Sequence, residues 1–142
     1  MEINFDMDGT LADLYGVENW LEDLIAENTR PYAEARPLVN CSWLARRLNR
    51  LIRAGHTVNV ISWLSRSGSP AYNDAVTVVK LQWLRKHLPS VNFTEIHIVP
   101  YGTPKQTLGN GILFDDEKRN RDAWGAGAYD ETQIFEVLKG LG

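Results

Sequence analysis

Two carboxylates, Asp6 and Asp8, close a short apolar segment and run straight into a Gly-Thr turn within "INFDMDGTLADLYG" (residues 3–16). Like charges this close repel each other, and the usual remedies are a shared proton or a bound cation. A second acid pair, Asp115 and Asp116, follows another apolar segment, "GILF" (111–114). Ser62 follows "VNVI", and Lys105 lies in the loop "YGTPKQTLG" after "EIHIV". Four acids gathered in one place call for a divalent, oxygen-preferring ion such as Mg²⁺. A Lys and a Ser beside that ion suit a phosphate, the ammonium as a point charge and the hydroxyl as a donor.

These side chains can meet only if the segments before them are strands of one sheet. "EINF", "HTVNVIS" (56–62), "EIHIV" (95–99) and "GILF" are short and rich in Val and Ile, which favours strands. Helices are expected between them. "SWLARRLNRLIRAG" (42–55) places Leu44, Leu48, Leu51 and Ile52 on one face, with Gly55 as its stop. "SPAYNDAVTVVKLQWLRKHLP" (69–89) begins with Ser69 as N-cap and Pro70 as first residue, and carries a Val76, Val79, Trp83, Leu84 stripe. A last helix is expected over 132–141.

Alternating strands and helices predict an α/β, three-layer, Rossmann-like domain over 1–142, a parallel sheet with helices on both faces. In such a sheet the carboxyl ends of the strands converge on one edge. Residues 15–39 interrupt the alternation and read as a small helical insert after the first strand. Its helix over 17–27 is amphipathic through Trp20, Leu21, Leu24 and Ile25, and irregular chain follows. Its place at the strand end makes it a candidate lid.

Composition sets the bounds. The 142 residues are 44% hydrophobic and 23% charged, ordinary for a globular domain and unlike a disordered chain. A net charge of −3 gives no electrostatic case for general nucleic-acid or membrane binding. Cys41 is the only cysteine, so neither an intrachain disulfide nor a cysteine zinc cluster can form. No leader segment and no membrane-length apolar run are visible, and a reducing cytoplasm is the expected setting.

The order Asp-x-Asp-Gly-Thr, strand-terminal Ser, Lys, strand-terminal Asp-Asp resembles the haloacid dehalogenase (HAD) superfamily of phosphotransferases over Asp6 to Asp116. In "DMDGTLAD" and in the Lys105 to Asp116 spacing it is similar to the 5'(3')-deoxyribonucleotidase-like branch. The resemblance implies that Asp6 is a nucleophile forming an aspartyl phosphate, and that Asp8 is the general acid and then the base. It implies Mg²⁺ on the Asp6 carboxylate, the Asp8 backbone carbonyl and Asp116, with Asp115 behind them orienting Lys105. Ser62 and Lys105 would hold the phosphoryl oxygens. Lys80 is the rival lysine, though on its helix it also reads as an exposed residue.

The implied function is Mg²⁺-dependent hydrolysis of a phosphorylated small molecule, with a nucleotide as first choice. A nucleic-acid end, a phosphoprotein, or a phosphate-binding module without turnover are the alternatives. A response-regulator receiver also groups acids, a hydroxyl and a Lys around Mg²⁺, but its motif order differs from the one here. The run Arg46, Arg47, Arg50, Arg53 reads as a solvated helix face, and Arg30 and Arg36 as candidates for a substrate anion. Asn120 and Asp122 could support the metal or cap a helix.

Overall fold

A computed structural model describes residues 1–141. Five parallel strands form one sheet in the order β3-β2-β1-β4-β5. They are β1 (Glu2–Phe5), β2 (Thr57–Trp63), β3 (Glu95–Val99), β4 (Ile112–Phe114) and β5 (Ala128–Tyr129). The chain steps outward from β1 to β2 and β3, then returns to the other side of β1 for β4. That reversal is a topological switch point, and the crevice beyond it lies between the ends of β1 and β4. Phe5 is in register with both Val60 and Phe114, so Asp6 and Asp115 leave their strands at the same level.

Strand alternation sorts the core. Ile3, Phe5, Val58, Val60, Ile112 and Phe114 share one face and are buried, with Phe5 and Phe114 stacked at 5.2 Å. Against them lie Leu44, Leu48 and Leu51 of α3 (Cys41–Arg53), Trp83 and Leu84 of α4 (Pro70–His87), and Ile134 and Leu138 of α6 (Ile134–Gly140). Each such side chain contributes about 1.5–3 kcal/mol by leaving water. Asn4 and Asn59 are buried on the opposite face. Asn4 donates to the carbonyls of Asn110 (2.8 Å) and Ile112 (3.0 Å), and Asn59 donates to Oδ1 of Asn4 (3.1 Å). These bonds tie the returning connection to β1.

The helix signals hold at their ends. Ser69 Oγ accepts from the Tyr72 amide at 3.1 Å with Pro70 at the first position, and Gly55, at φ 102°, follows the end of α3. Asn40 caps α3, accepting from the Trp43 amide at 3.0 Å. Four elements differ from expectation. The insert helix shortens to α1 (Trp20–Ile25), and the stretch expected to be irregular contains α2 (Arg30–Glu34). Pro31 presets the first turn of α2, and Tyr32 and Ala35 anchor it in the core, where Trp83 Nε1 donates to the Ala35 carbonyl at 2.8 Å. The acid pair is followed by α5 (Lys118–Trp124) and the two-residue β5, which no apolar pattern announces. Among the described residues no helix is long and apolar enough to cross a membrane.

Candidate active site

The turn after β1 wraps around buried Met7, whose carbonyl accepts the amides of Thr10, Leu11 and Ala12 at 2.9–3.0 Å. Gly9 sits at φ 82°, and a Cβ there would collide with the Asp116 carboxylate. Glycine is therefore required twice, for the backbone angle and for the approach of Asp116. Thr10 joins the two acid motifs. Its Oγ1 accepts from the Asp116 amide (3.1 Å) and lies 3.0 Å from Asp6 Oδ2 and 3.3 Å from Asp116 Oδ1. A hydroxyl has one proton, and the nearer acceptor is Asp6.

Lys105 is 2% exposed, and its ammonium bridges Asp6 Oδ1 (2.9 Å) and Asp115 Oδ2 (2.8 Å). Asp115 also accepts from Asn120 Nδ2 (3.1 Å) and the Glu117 amide (2.9 Å). Its carboxylate is thus fully engaged by protein donors and orients Lys105. Asn120 is buried and belongs to this network, whereas Asp122 is exposed and pairs with Lys118.

The structure corrects the reading of Lys80 as an exposed helix residue. It is 1% exposed, and its ammonium spends all three protons on Asp8 Oδ2 (2.9 Å), Ser62 Oγ (2.7 Å) and the Trp63 carbonyl (2.8 Å). Tyr72, Val76, Lys80, Trp83 and Leu84 form the buried stripe of α4. Lys80 therefore lies at the spacing that would have revealed it. Ser62 is enclosed beneath α4, where it meets Lys80 and does not line the groove described below.

Asp116 differs from the other acids in having no cationic partner among the described residues. Burial, then the charge of Asp6 and a hydrogen bond to it, push its carboxyl up to about 8. Burial also raises Asp8, against the pull of Lys80, and raises Asp115 to about 6, against Lys105. Carboxylate oxygens of Asp6, Asp115 and Asp116 all come within 4.8 Å of one another. An all-oxygen set with one uncompensated acid fits a hard divalent cation.

Above these acids opens a groove of about 440 Å³ lined by Asp6, Asp8, Lys105 and Asp115. The insert lines it through Tyr15, Trp20, Leu21, Leu24 and Ile25, and Trp63, Arg66 and Tyr101 line it from the ends of β2 and β3. Leu21 (50% exposed) and Ile25 (75%) stay open to solvent, so the expected packing of the insert helix on the rim is only partial. Arg30 is held by Asp23, Glu34 and the Glu18 carbonyl, and Arg36 is exposed outside the groove lining. Neither takes up the place foreseen for a substrate anion.

Neither a family model nor a curated protein matches the chain. Solved structures do. A D,D-heptose 1,7-bisphosphate phosphatase from Burkholderia thailandensis superposes with TM-score 0.52 at 16% identity, over 89% of this chain and 72% of that one. A D,D-heptose 1,7-bisphosphate phosphatase from B. bronchiseptica, complexed with magnesium and phosphate, superposes with TM-score 0.54 at 15% identity, over 99% and 88%. The likeness is one of fold, and the expected α/β Rossmann-like architecture stands.

Proposed function

We propose that the chain is a Mg²⁺-dependent phosphomonoester hydrolase of the HAD type, acting through an aspartyl phosphate on Asp6, with nucleotides as the substrate class. One observation carries this reading: two buried lysines are divided between two aspartates two residues apart, Lys105 on Asp6 and Lys80 on Asp8. Burial, which outweighs Lys80, raises Asp8 and so suits it to carry a proton, while Asp6 presents its carboxylate to the groove. The fold shared with two phosphatases supports it.

In the first step an Asp6 oxygen bonds to phosphorus while the ester P–O bond breaks. The leaving oxygen takes a proton from Asp8. Lys80 occupies Oδ2 of Asp8, which leaves Oδ1 to carry that proton. In the second step a water oxygen bonds to phosphorus, its proton passes to Asp8, and the bond to Asp6 breaks. Inorganic phosphate and free Asp6 result. Lys105, on the groove, holds phosphoryl oxygens. Ser62, buried off the groove, accepts from Lys80 and so helps to fix the ammonium that holds Asp8. Asp6, Asp116 and the Asp8 backbone carbonyl would hold Mg²⁺, which supplies charge neutralisation for the phosphoryl group.

A panel of phosphate esters, assayed with Mg²⁺ and with chelator, tests the reading. Metal-dependent release of inorganic phosphate that disappears in Asp6→Asn is expected. Phosphate binding without release would make the chain a binding module.

A further inference from the structure

Beyond the acids, the groove carries aromatic and cationic side chains. Trp63 is fixed by its Nε1, which donates to the Thr103 carbonyl at 2.8 Å, and the Tyr101 ring lies 4.9 Å away. The Arg119 guanidinium lies 4.9 Å from the Trp63 ring centre and 5.6 Å from that of Tyr101, and donates to the Tyr101 hydroxyl at 3.2 Å. Arg66 lies 5.8 Å from the Tyr101 ring and pairs with no acid among the described residues. Lys105 lies 5.6 Å from the same Trp63 ring. The Trp63 ring thus lies beside both the Lys105 ammonium on Asp6 and the Arg119 guanidinium.

The insert lines the same groove with Leu21, Leu24 and Ile25 and the Trp20 and Tyr15 rings. Apolar side chains left open beside a charged site mark a surface that a ligand covers. A planar base covers more of these apolar and aromatic side chains than a sugar does. Base stacking on aromatic side chains is worth about 1–3 kcal/mol per base. A mononucleotide spends its single phosphate at Asp6 and gives Arg66 no anion, while Arg119 has only the part-exposed Glu117 carboxylate at 3.7 Å. A strand continues outward and brings them one.

We infer that the groove takes the end of a single-stranded nucleic acid. Its terminal phosphomonoester sits over Asp6, its terminal base between Trp63/Tyr101 and the apolar face of α1, and its next phosphodiester at Arg119 and Arg66. Hydrolysis breaks the terminal ester P–O bond, leaves a hydroxyl on the strand and releases inorganic phosphate. This rests on the phosphomonoesterase reading and narrows its substrate. With a net charge of −3, the chain has no general attraction for polyanions. The local pair of guanidiniums and the stacking wall must therefore select the strand.

The test compares kcat/KM of the Mg²⁺-loaded chain on p-nitrophenyl phosphate, a nucleoside monophosphate, a phosphopeptide and a short single-stranded oligonucleotide bearing a terminal phosphate. The oligonucleotide should be preferred. Tyr101→Ala should lower the oligonucleotide to aryl-phosphate ratio by about 5- to 150-fold. Arg66→Ala with Arg119→Ala should flatten the log–log salt dependence for the oligonucleotide by about 1.4. Fluorescence anisotropy of the labelled oligonucleotide on Asp6→Asn reads the groove separately from turnover. Tighter binding with the terminal phosphate than without it is expected. No turnover with such binding would overturn the hydrolase reading alone. Equal kcat/KM for oligonucleotide and monophosphate, a preferred phosphopeptide, or indifference to all three variant positions would overturn this one.

Discussion

The ammonium of Lys80 lies 2.9 Å from Oδ2 of Asp8, in a contact where the lysine is 1% exposed and the Asp8 side chain 17%. Removing one member of a buried pair leaves the other charged and unpaired, which costs about 3–5 kcal/mol. Lys80→Met should destabilise the fold by that order in urea unfolding. Adding Asp8→Asn should recover much of the loss, because no uncompensated carboxylate then remains. Additive losses in the double variant would show that the pair is not coupled.

Asp8→Asn by itself should slow hydrolysis most for esters with poor leaving groups, since the departing oxygen then lacks its proton donor. General acid–base losses are commonly about 10²–10⁴-fold. A series of aryl phosphates of graded leaving-group pKa measures this. A uniform loss across the series would remove Asp8 from the general-acid role.

Asp115 and Asp116 are adjacent yet should behave oppositely. Asp115 satisfies Lys105, Asn120 and the Glu117 amide, so Asp115→Ala should destabilise the metal-free protein. Burial and the charge of Asp6 hold the Asp116 carboxyl protonated near neutral pH, a cost the unfolded chain does not bear. Asp116→Ala should therefore leave the metal-free melting temperature equal or higher, and abolish the rise in melting temperature that Mg²⁺ produces in the parent. The opposite ranking would exchange the two assignments.

The same crowding sets a pH dependence. Asp8, Asp115 and Asp116 are all raised in the folded chain, Asp116 furthest, from 3.8 to about 8. Across that window the folded state binds more protons than the unfolded state, so metal-free stability should fall as pH rises. Mg²⁺ requires the ionised acids, so its stabilisation should grow over the same range. Thermal melts from pH 5 to 8, with Mg²⁺ and with chelator, should diverge as pH rises. Parallel curves would contradict the shared-cation account.

Much of this was legible in the residues because each signal was local. "DMDGT" breaks an apolar strand with two acids and a glycine, and Ser69-Pro70 and Gly55 mark helix ends by backbone chemistry alone. What escaped depends on tertiary contact. α5 follows the acid pair as a polar run, held by Asn120 on Asp115 rather than by an apolar stripe. α2 is five residues whose stability comes from Tyr32 and Ala35 entering the core. Lys80 hid in plain spacing. Its four-residue step from Val76 puts it on the buried stripe, but a lone lysine there reads as solvated until Asp8 and Ser62 are seen beneath it.

The central claim is that Asp6 accepts the phosphoryl group, and the most direct measurement is chemical trapping of that intermediate. The Mg²⁺-loaded chain would be quenched during turnover of an aryl phosphate and reduced with borohydride, which converts an aspartyl phosphate to homoserine. Peptide mass spectrometry then locates the change. Homoserine at position 6 is the predicted result, absent without substrate and absent in Asp6→Asn. Turnover with no trapped residue, or with the modification at position 115 or 116 instead, would contradict the account.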